Sequence, residues 1–140
     1  MKFPSATMRA IGILQVVHND VFRPLSVPSL GRSLYYVSFI DDFSRMAWLY
    51  FLKKKYVVFE RFKEFKYLVE KQYDRKIKVL RTYNSDEFCG KTFNHFCRKH
   101  GIARQNITPY TSQQNGVVER MNKTLMEKAR IMLSGVGLPQ

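Results

Sequence analysis

Residues 34–52, LYYVSFIDDFSRMAWLYFL, are the stretch on which the prediction of the fold depends. Two runs rich in aromatic and β-branched residues, 34–40 and 46–52, flank the polar segment DDFSR. Strand-forming runs around a short polar turn are typical of an antiparallel hairpin. The stretch therefore predicts two paired strands, and it favours Asp41 and Asp42 as turn residues over metal ligands.

Patterns on either side of this hairpin predict the other elements. They are, in chain order, a strand over 14–20, the two hairpin strands, a helix over 57–72, a strand over 77–81, a helix around 93–97 that ends near Gly101, a strand over 103–108 and a helix over 113–133. Asp20 is thereby expected at a strand end. Three leading strands followed by alternating helices and strands predict an α/β fold, a five-stranded mixed sheet with helices on both faces.

Composition and charge limit the possible classes of protein. The chain has 140 residues, 45% of them hydrophobic, so it is expected to form one domain over 1–140, with 1–12 as a linker. Its net charge of +13 predicts a polyanionic partner, either nucleic acid or an anionic membrane surface. The sequence has no bilayer-spanning apolar run and no secretory signal pattern. Because it has only two cysteines, an intracellular location is expected.

Several side chains that could bind ligands have simpler explanations in the sequence alone. The spacing C-x5-H-x-C-x2-H from Cys89 to His100 lacks the paired ligands of structural zinc sites, so no zinc site is predicted. His18 is expected to be packed or hydrogen-bonded rather than to act as a base. The lysine triplet 53–55 is either a nucleic-acid contact or a solvated turn. Glu119, early in the last predicted helix, suits the positive end of the helix dipole.

Three longer motifs are specific enough to indicate a family. They are FIDDFSR at 39–45, KVLRT at 78–82 and PYTSQQNGVVER at 109–120. They resemble the integrase core of copia-type long-terminal-repeat retrotransposons, which reads FIDDFSR, VLRTDNGGEF and PYTPQQNGVAERxNRTL, and the similarity extends over 3–139. The resemblance implies the ribonuclease-H-like fold, D-D-E polynucleotidyl transferase chemistry on DNA, and Mg²⁺ or Mn²⁺ as the cofactor.

The resemblance also implies the catalytic and metal-binding residues. Asp20 takes the first carboxylate position, in the sequence HND where the family has HTD. Glu119 takes the third position. The second position falls on Tyr83, because the family's TDNGGEF reads TYNSDEF at 82–88. Asp20 and Glu119 are therefore the expected metal ligands, and Tyr83 replaces the carboxylate between them.

Contacts with DNA are expected from the last motif and from the helix that follows. Lys123 lies one turn beyond Glu119 on the same helix face, and a lysine so placed touches viral DNA in retroviral integrases. Gln114 and Asn115 belong to the same motif and are the other expected DNA contacts. The resemblance thus implies DNA as the partner, a homodimer as in the integrase family, no membrane partner, and a nuclear location for a functional copy.

Tyr83 leaves two functional interpretations open. A neutral phenol supplies neither the charge nor the paired oxygens of a carboxylate, and loss of one catalytic group typically lowers the rate on the order of 10⁴-fold. In the first interpretation, the chain is an integrase core that is inactive in this copy. In the second, it is a module for DNA binding or assembly that has no enzymatic role. Replacement of the lost ligand by Asp86 or Glu87 would require a different loop geometry. Two further departures from the family pattern are Arg23, where the family usually has Gly, and Ser112, where it usually has Pro. Together with Tyr83 they indicate a degenerate copy of a plant-type element.

Overall fold

The computed structural model describes five parts of the chain. They are residues 9–27, 32–54, 57–83 and 90–107, and a C-terminal helical segment made up of Arg120, Met121, Lys123, Thr124 and Glu127. Their strands and helices are β1 (Val16–Val27), β2 (Arg32–Asp41), β3 (Ala47–Leu52), α1 (Val58–Tyr73), β4 (Val79–Tyr83), α2 (Lys91–Lys99) and β5 (Ala103–Ile107). None of the described helices is long and apolar enough to cross a bilayer.

The strands form one mixed sheet in the order β3-β2-β1-β4-β5. β1 pairs antiparallel with β2, and β2 pairs antiparallel with β3. β4 runs parallel to β1 on one side and to β5 on the other. The predicted five-stranded mixed sheet is confirmed. Because β1 is the central strand, its polar residues lie between residues of β2 on one side and residues of β4 on the other.

Helices cover both faces of the sheet, as predicted. α1 turns an apolar stripe towards one face, made of Val58, Phe62, Phe65 and Val69. The ring of Phe65 stacks on that of Phe39 in β2, with centroids 4.5 Å apart. α2 joins the same core through Phe93, whose ring lies 5.2 Å from that of Phe62. On the other face, Met121 of the C-terminal helical segment packs against Ile40 and Tyr83.

The first strand is longer than the sequence predicted. β1 continues to Val27 because β2 pairs with it as far as Arg32, so the expectation that Asp20 ends the strand is wrong. The register is irregular between Phe22 and Leu25, where Pro24 has no N–H to donate to the ladder. Asp20 is nevertheless the last residue of β1 that pairs with β4.

The predicted turn between β2 and β3 is confirmed. Asp41 Oδ2 accepts hydrogen bonds from the backbone N–H and the hydroxyl of Ser44, both at 2.8 Å. Its Oδ1 accepts a third hydrogen bond from the N–H of Leu14, also at 2.8 Å. The Asp41 carboxylate therefore closes the turn and joins it to the segment before β1.

Candidate active site

The pairing of β1 with β4 brings two of the predicted site positions together. Asp20 and Tyr83 are Cα partners in this parallel pair, and His18 is the partner of Arg81. Register partners, and residues two apart along a strand, point to the same face of a sheet. These four side chains therefore lie on one face, the face on which Met121 packs against the cluster of Ile40 and Tyr83.

A buried chain of hydrogen bonds runs through this group. The hydroxyl oxygen of Tyr83 lies 3.0 Å from Nδ1 of His18, and Nε2 of His18 lies 2.7 Å from Oδ1 of Asp42. Tyr83, His18 and Asp42 are 6%, 1% and 2% exposed, so water competes little for these bonds. Asp42 belongs to the turn after β2. These hydrogen bonds therefore connect β4, β1 and the turn after β2.

The charges of the partners fix the direction of each bond. Burial alone would raise the pKa of Asp42, but hydrogen bonds from His18 and from the N–H of Ala10, together with nearby Arg45, hold this pKa at about 2. At neutral pH the carboxylate is ionised and only accepts. Burial, with smaller contributions from Arg81 and Arg45, lowers the pKa of His18 despite the opposing effect of Asp42, so the ring is neutral with its proton on Nε2. Nδ1 therefore accepts a hydrogen bond from the Tyr83 hydroxyl.

Asp20 lies beside a second buried tyrosine. Its side chain is 7% exposed, and Ser38 is its partner on β2. Burial, and then the Asp20 carboxylate, raise the pKa of Tyr36, which keeps that phenol neutral. On β4, burial lowers the pKa of Arg81, whose Nε donates to Oε1 of Gln105 at 2.7 Å. Asp20 and Arg81 thus add opposite formal charges to a largely buried polar group.

A family model matches the part of the chain that contains this sheet. The model of the integrase core domain matches residues 13–112. The chain belongs to the integrase core domain family. Members of this family carry out DNA integration.

Curated relatives of this integrase core are polyproteins of retrotransposons. The chain is 43% identical over 140 residues, 100% of its length, to the retrovirus-related Pol polyprotein from transposon TNT 1-94 of Nicotiana tabacum. It is 32% identical over 138 residues, 99% of its length, to the corresponding polyprotein from transposon RE2 of Arabidopsis thaliana. It spans 10% and 9% of the lengths of these two relatives. The matches therefore concern one segment of each polyprotein.

Solved structures of retroviral integrases share the fold. A chain of the simian T-cell lymphotropic virus intasome, in complex with a PP2A regulatory subunit, superposes with a TM-score of 0.70 at 18% identity, over 100% of this chain and 49% of that one. The HTLV-2 integrase catalytic core domain, in complex with magnesium in a dimeric form, superposes with a TM-score of 0.67 at 21% identity, over 94% and 81%. The expected ribonuclease-H-like architecture is confirmed.

Position 83 decides whether the described side chains of this integrase core fit a pair of divalent ions. Such ions are held by several carboxylates, which also offset the repulsion between the two metals. Tyr83 is neutral and donates its hydroxyl proton to His18, while the Asp42 carboxylate accepts from His18 and Ala10. Among the described residues, no three His, Cys, Asp or Glu side chains are grouped as metal ligands. The described side chains therefore do not fit a two-metal site.

The other predicted site residues are placed as follows. Five lie outside the described residues: Glu119, Gln114, Asn115, Asp86 and Glu87. Lys123 is helical and exposed. Because Met121 packs against the cluster of Ile40 and Tyr83, the C-terminal helical segment lies on the same face of the sheet as the Asp20–Tyr83 pair.

The structure also describes some residues of the other candidate sites, which are the cysteines and histidines between Cys89 and His100 and the lysine triplet. Cys97 is buried, and burial raises the pKa of its thiol to about 11, whereas His95 and His100 are exposed. Cys89 lies outside the described residues. Of the lysine triplet 53–55, the first two are exposed and the third lies outside the described part.

Sequence reasoning missed the connection from Asp42 to Tyr83. The sequence predicts a packed or hydrogen-bonded His18, and its position two residues before Asp20 is the one local signal that it shares a face with the site. Asp42 was expected to be a turn residue only. Its contact with His18 depends on the pairing of β1 with β2, which no local pattern encodes.

Proposed function

We propose that this integrase core is of the copia type, that it binds DNA, and that it does not cleave or join DNA strands with Mg²⁺ or Mn²⁺. The observation that carries the proposal is the place of Tyr83, the register partner of Asp20. This is the position at which the resemblance expects the second carboxylate. The Tyr83 hydroxyl is a neutral donor bound to His18.

The chemistry of position 83 supports the loss of catalysis. A carboxylate there would add a negative charge and two oxygen ligands next to Asp20, whereas the phenol adds neither. Groups that act together in catalysis are not additive, and removal of one lowers the rate on the order of 10⁴-fold. The same phenol is well accommodated by His18, so the fold does not require a carboxylate at this place.

The charge of the chain supports the binding of DNA. The net charge is +13, and contacts between cations and phosphates give binding that is largely independent of base sequence and weakened by salt. Lys123 is exposed on the segment that lies beside the Asp20–Tyr83 pair. We propose that Lys123 makes the first contact with DNA, and that Gln114 and Asn115 of the motif at 109–120 add further contacts. DNA as the partner implies an intracellular, nuclear location, and a homodimer would resemble the dimeric form of the HTLV-2 core.

A cleavage and joining assay on short labelled DNA duplexes tests the proposal. With Mg²⁺ or Mn²⁺, the unaltered chain should give no product above a protein-free control. Tyr83→Asp restores the missing charge and should raise cleavage. The double variant Tyr83→Asp with Asp20→Asn should lose that gain, because the restored carboxylate acts only with its partner.

One outcome would contradict the inactive assignment directly. Metal-dependent product from the unaltered chain, abolished by Glu119→Gln, would show that another side chain has replaced the lost ligand. DNA binding is measured separately, by fluorescence anisotropy at several salt concentrations. Binding that is absent at low salt would contradict the second half of the proposal.

A further inference from the structure

A groove lined by cations lies at the far end of the sheet from Asp20 and Tyr83. It is formed where the segment before β1 meets the segment between α1 and β4, and it encloses about 450 Å³. Its lining includes Arg75, Lys76, Lys78, Ile11, Gly12 and Gln15. We refer to it as the basic groove.

Backbone hydrogen bonds give the basic groove a fixed floor. The N–H of Lys78 donates to the carbonyl oxygen of Leu14 at 3.2 Å, and the N–H of Val79 donates to that of Gln15 at 3.0 Å. The side-chain oxygen of Gln15 accepts from the N–H of Ile11 at 2.7 Å. The two walls are therefore tied together independently of any ligand.

The positive charge of the groove is only slightly neutralised. Glu70 is the acidic side chain that approaches it, 3.8 Å from Nζ of Lys76. That carboxylate already accepts from Nζ of Lys66 at 2.7 Å and from the N–H of Ile77 at 2.8 Å. Within the part of the chain that the structure describes, no ion pair involves Arg75 or Lys78. Asp74 is adjacent in sequence and exposed to solvent.

The shape of the groove suits a sugar–phosphate backbone. A Cβ atom at position 12 would lie 3.2 Å from Nη1 of Arg75, so glycine lets the guanidinium lie against the main chain. Guanidinium groups bind phosphate through paired donors, and ammonium groups add charge. Ile11 is 82% exposed at the rim and offers an apolar surface to a sugar. A single exposed aliphatic side chain is too little to insert into a lipid surface.

The groove is separate from the proposed site. Val79 and Val16 pair at one end of the parallel ladder, and Tyr83 and Asp20 pair at the other. Four residue steps of about 3.3 Å place the two ends roughly 13 Å apart. We propose that the basic groove is a second contact surface for nucleic acid, which holds a sugar–phosphate backbone away from the Asp20–Tyr83 pair. This inference rests on the proposed binding of DNA, and it adds a second place on the chain at which the DNA backbone is held.

A pair of matched double variants tests the basic groove. Arg75→Ala with Lys78→Ala removes two exposed cations from it, and Lys91→Ala with Lys99→Ala removes two exposed cations from α2. Anisotropy of a labelled duplex is measured against salt for the full chain and both variants. The groove variant should lower the slope of log affinity against log salt by about 2, since each phosphate contact contributes about 0.9. The α2 variant should leave the slope unchanged. Equal decreases in both variants would overturn the proposal.

A second measurement locates the contact without any substitution. Lysines of the full chain are acetylated with an activated acetate ester, with and without DNA, and quantified by mass spectrometry. Lys76 and Lys78 should be protected by DNA, and Lys91 and Lys99 should not. DNA binding without protection of the groove lysines would overturn this inference and leave the proposed function intact, whereas absence of DNA binding would overturn both. Protection by phosphatidylserine vesicles but not by DNA would assign the groove to a membrane surface and overturn it.

Discussion

The hydroxyl of Tyr83 and Nδ1 of His18 lie 3.0 Å apart, and this bond joins Tyr83 to Asp42 through one imidazole ring. Each atom in the chain has a matching role: the phenol donates, Nδ1 accepts, Nε2 donates and the carboxylate accepts. A tyrosine at position 83 thus finds a buried acceptor already held in place by Asp42. The phenol at position 83 is therefore structurally satisfied, and its contribution to stability can be measured separately from the proposed loss of catalysis.

Tyr83→Phe should destabilise the fold. The variant keeps the ring that packs on Ile40 and Met121 but removes the donor to His18, which leaves the buried Nδ1 without the hydrogen bond seen here. Loss of one partner of a buried hydrogen bond costs about 1–3 kcal/mol. Urea unfolding measures the change. Tyr67→Phe is the control, because Tyr67 is 68% exposed. The free energy of unfolding of this variant should be nearly equal to that of the unaltered chain. Equal losses in the two variants would contradict a specific role for the bond.

Stability should fall with acidification in two steps that have the same sign. The pKa of His18 is lowered in the folded state, so the unfolded chain takes up a proton first and stability falls as the pH drops below about 6.5. The pKa of Asp42 is about 2 in the folded state and 3.8 without perturbation. Its contribution is complete above pH 3.8 and is lost towards pH 2, which amounts to about 2 kcal/mol.

Asp42→Asn separates the second step from the general effect of acid. The variant has no carboxylate at this position, so its free energy of unfolding should change less than that of the unaltered chain between pH 4 and pH 2. Asp74→Asn is the control, because Asp74 is exposed. The free energy of unfolding of this variant should depend on pH as that of the unaltered chain does. Parallel pH profiles for the unaltered chain and Asp42→Asn would show that the hydrogen bond to His18 does not hold this carboxyl ionised.

The fold was largely predictable because its local patterns agree with its tertiary structure. The aromatic and β-branched run at 34–40 and the helical spacing of Phe62 and Phe65 each supply residues that are buried in the same core. The extent of β1 was not predictable, since residues after Asp20 are held by pairing with β2 rather than by an apolar run of their own. The same long-range pairing, and not a sequence motif, brings Asp42 to His18.

Gly101→Ala should destabilise the junction between α2 and β5. The helix ends where the sequence predicted, with Gly101 at φ +70, in the left-handed region that glycine adopts without strain. A side chain with a Cβ costs about 1–2 kcal/mol in this conformation. Gly101→Asn is the matched variant, because asparagine tolerates the left-handed region better, and it should lose less. Thermal unfolding of both variants checks the order, and a larger loss for Asn would contradict it.

Lys123→Ala should weaken DNA binding in proportion to one phosphate contact. The side chain is exposed on the C-terminal helical segment beside the Asp20–Tyr83 pair. Removal of one cation that neutralises a phosphate lowers the salt slope by about 1 and weakens binding to all sequences alike. Lys99→Ala removes the same charge from the end of α2 and should leave the slope unchanged. A slope that is insensitive to Lys123→Ala would place the contact elsewhere on the chain.

Tyr83→Asp should increase the affinity of the chain for Mn²⁺, and Tyr83→Asn should not. The two side chains are nearly equal in size and both remove the phenol, so both lose the hydrogen bond to His18 and the packing of the ring in the cluster with Ile40. They differ in charge, and a second carboxylate next to Asp20 supplies the hard oxygen ligands that divalent cations prefer. Titration calorimetry at one pH gives the difference between the variants, and circular dichroism verifies that both are folded. If both variants bind Mn²⁺ as weakly as the unaltered chain, then the register partner of Asp20 is not a ligand position, and the loss of catalysis proposed for this integrase core cannot be attributed to Tyr83.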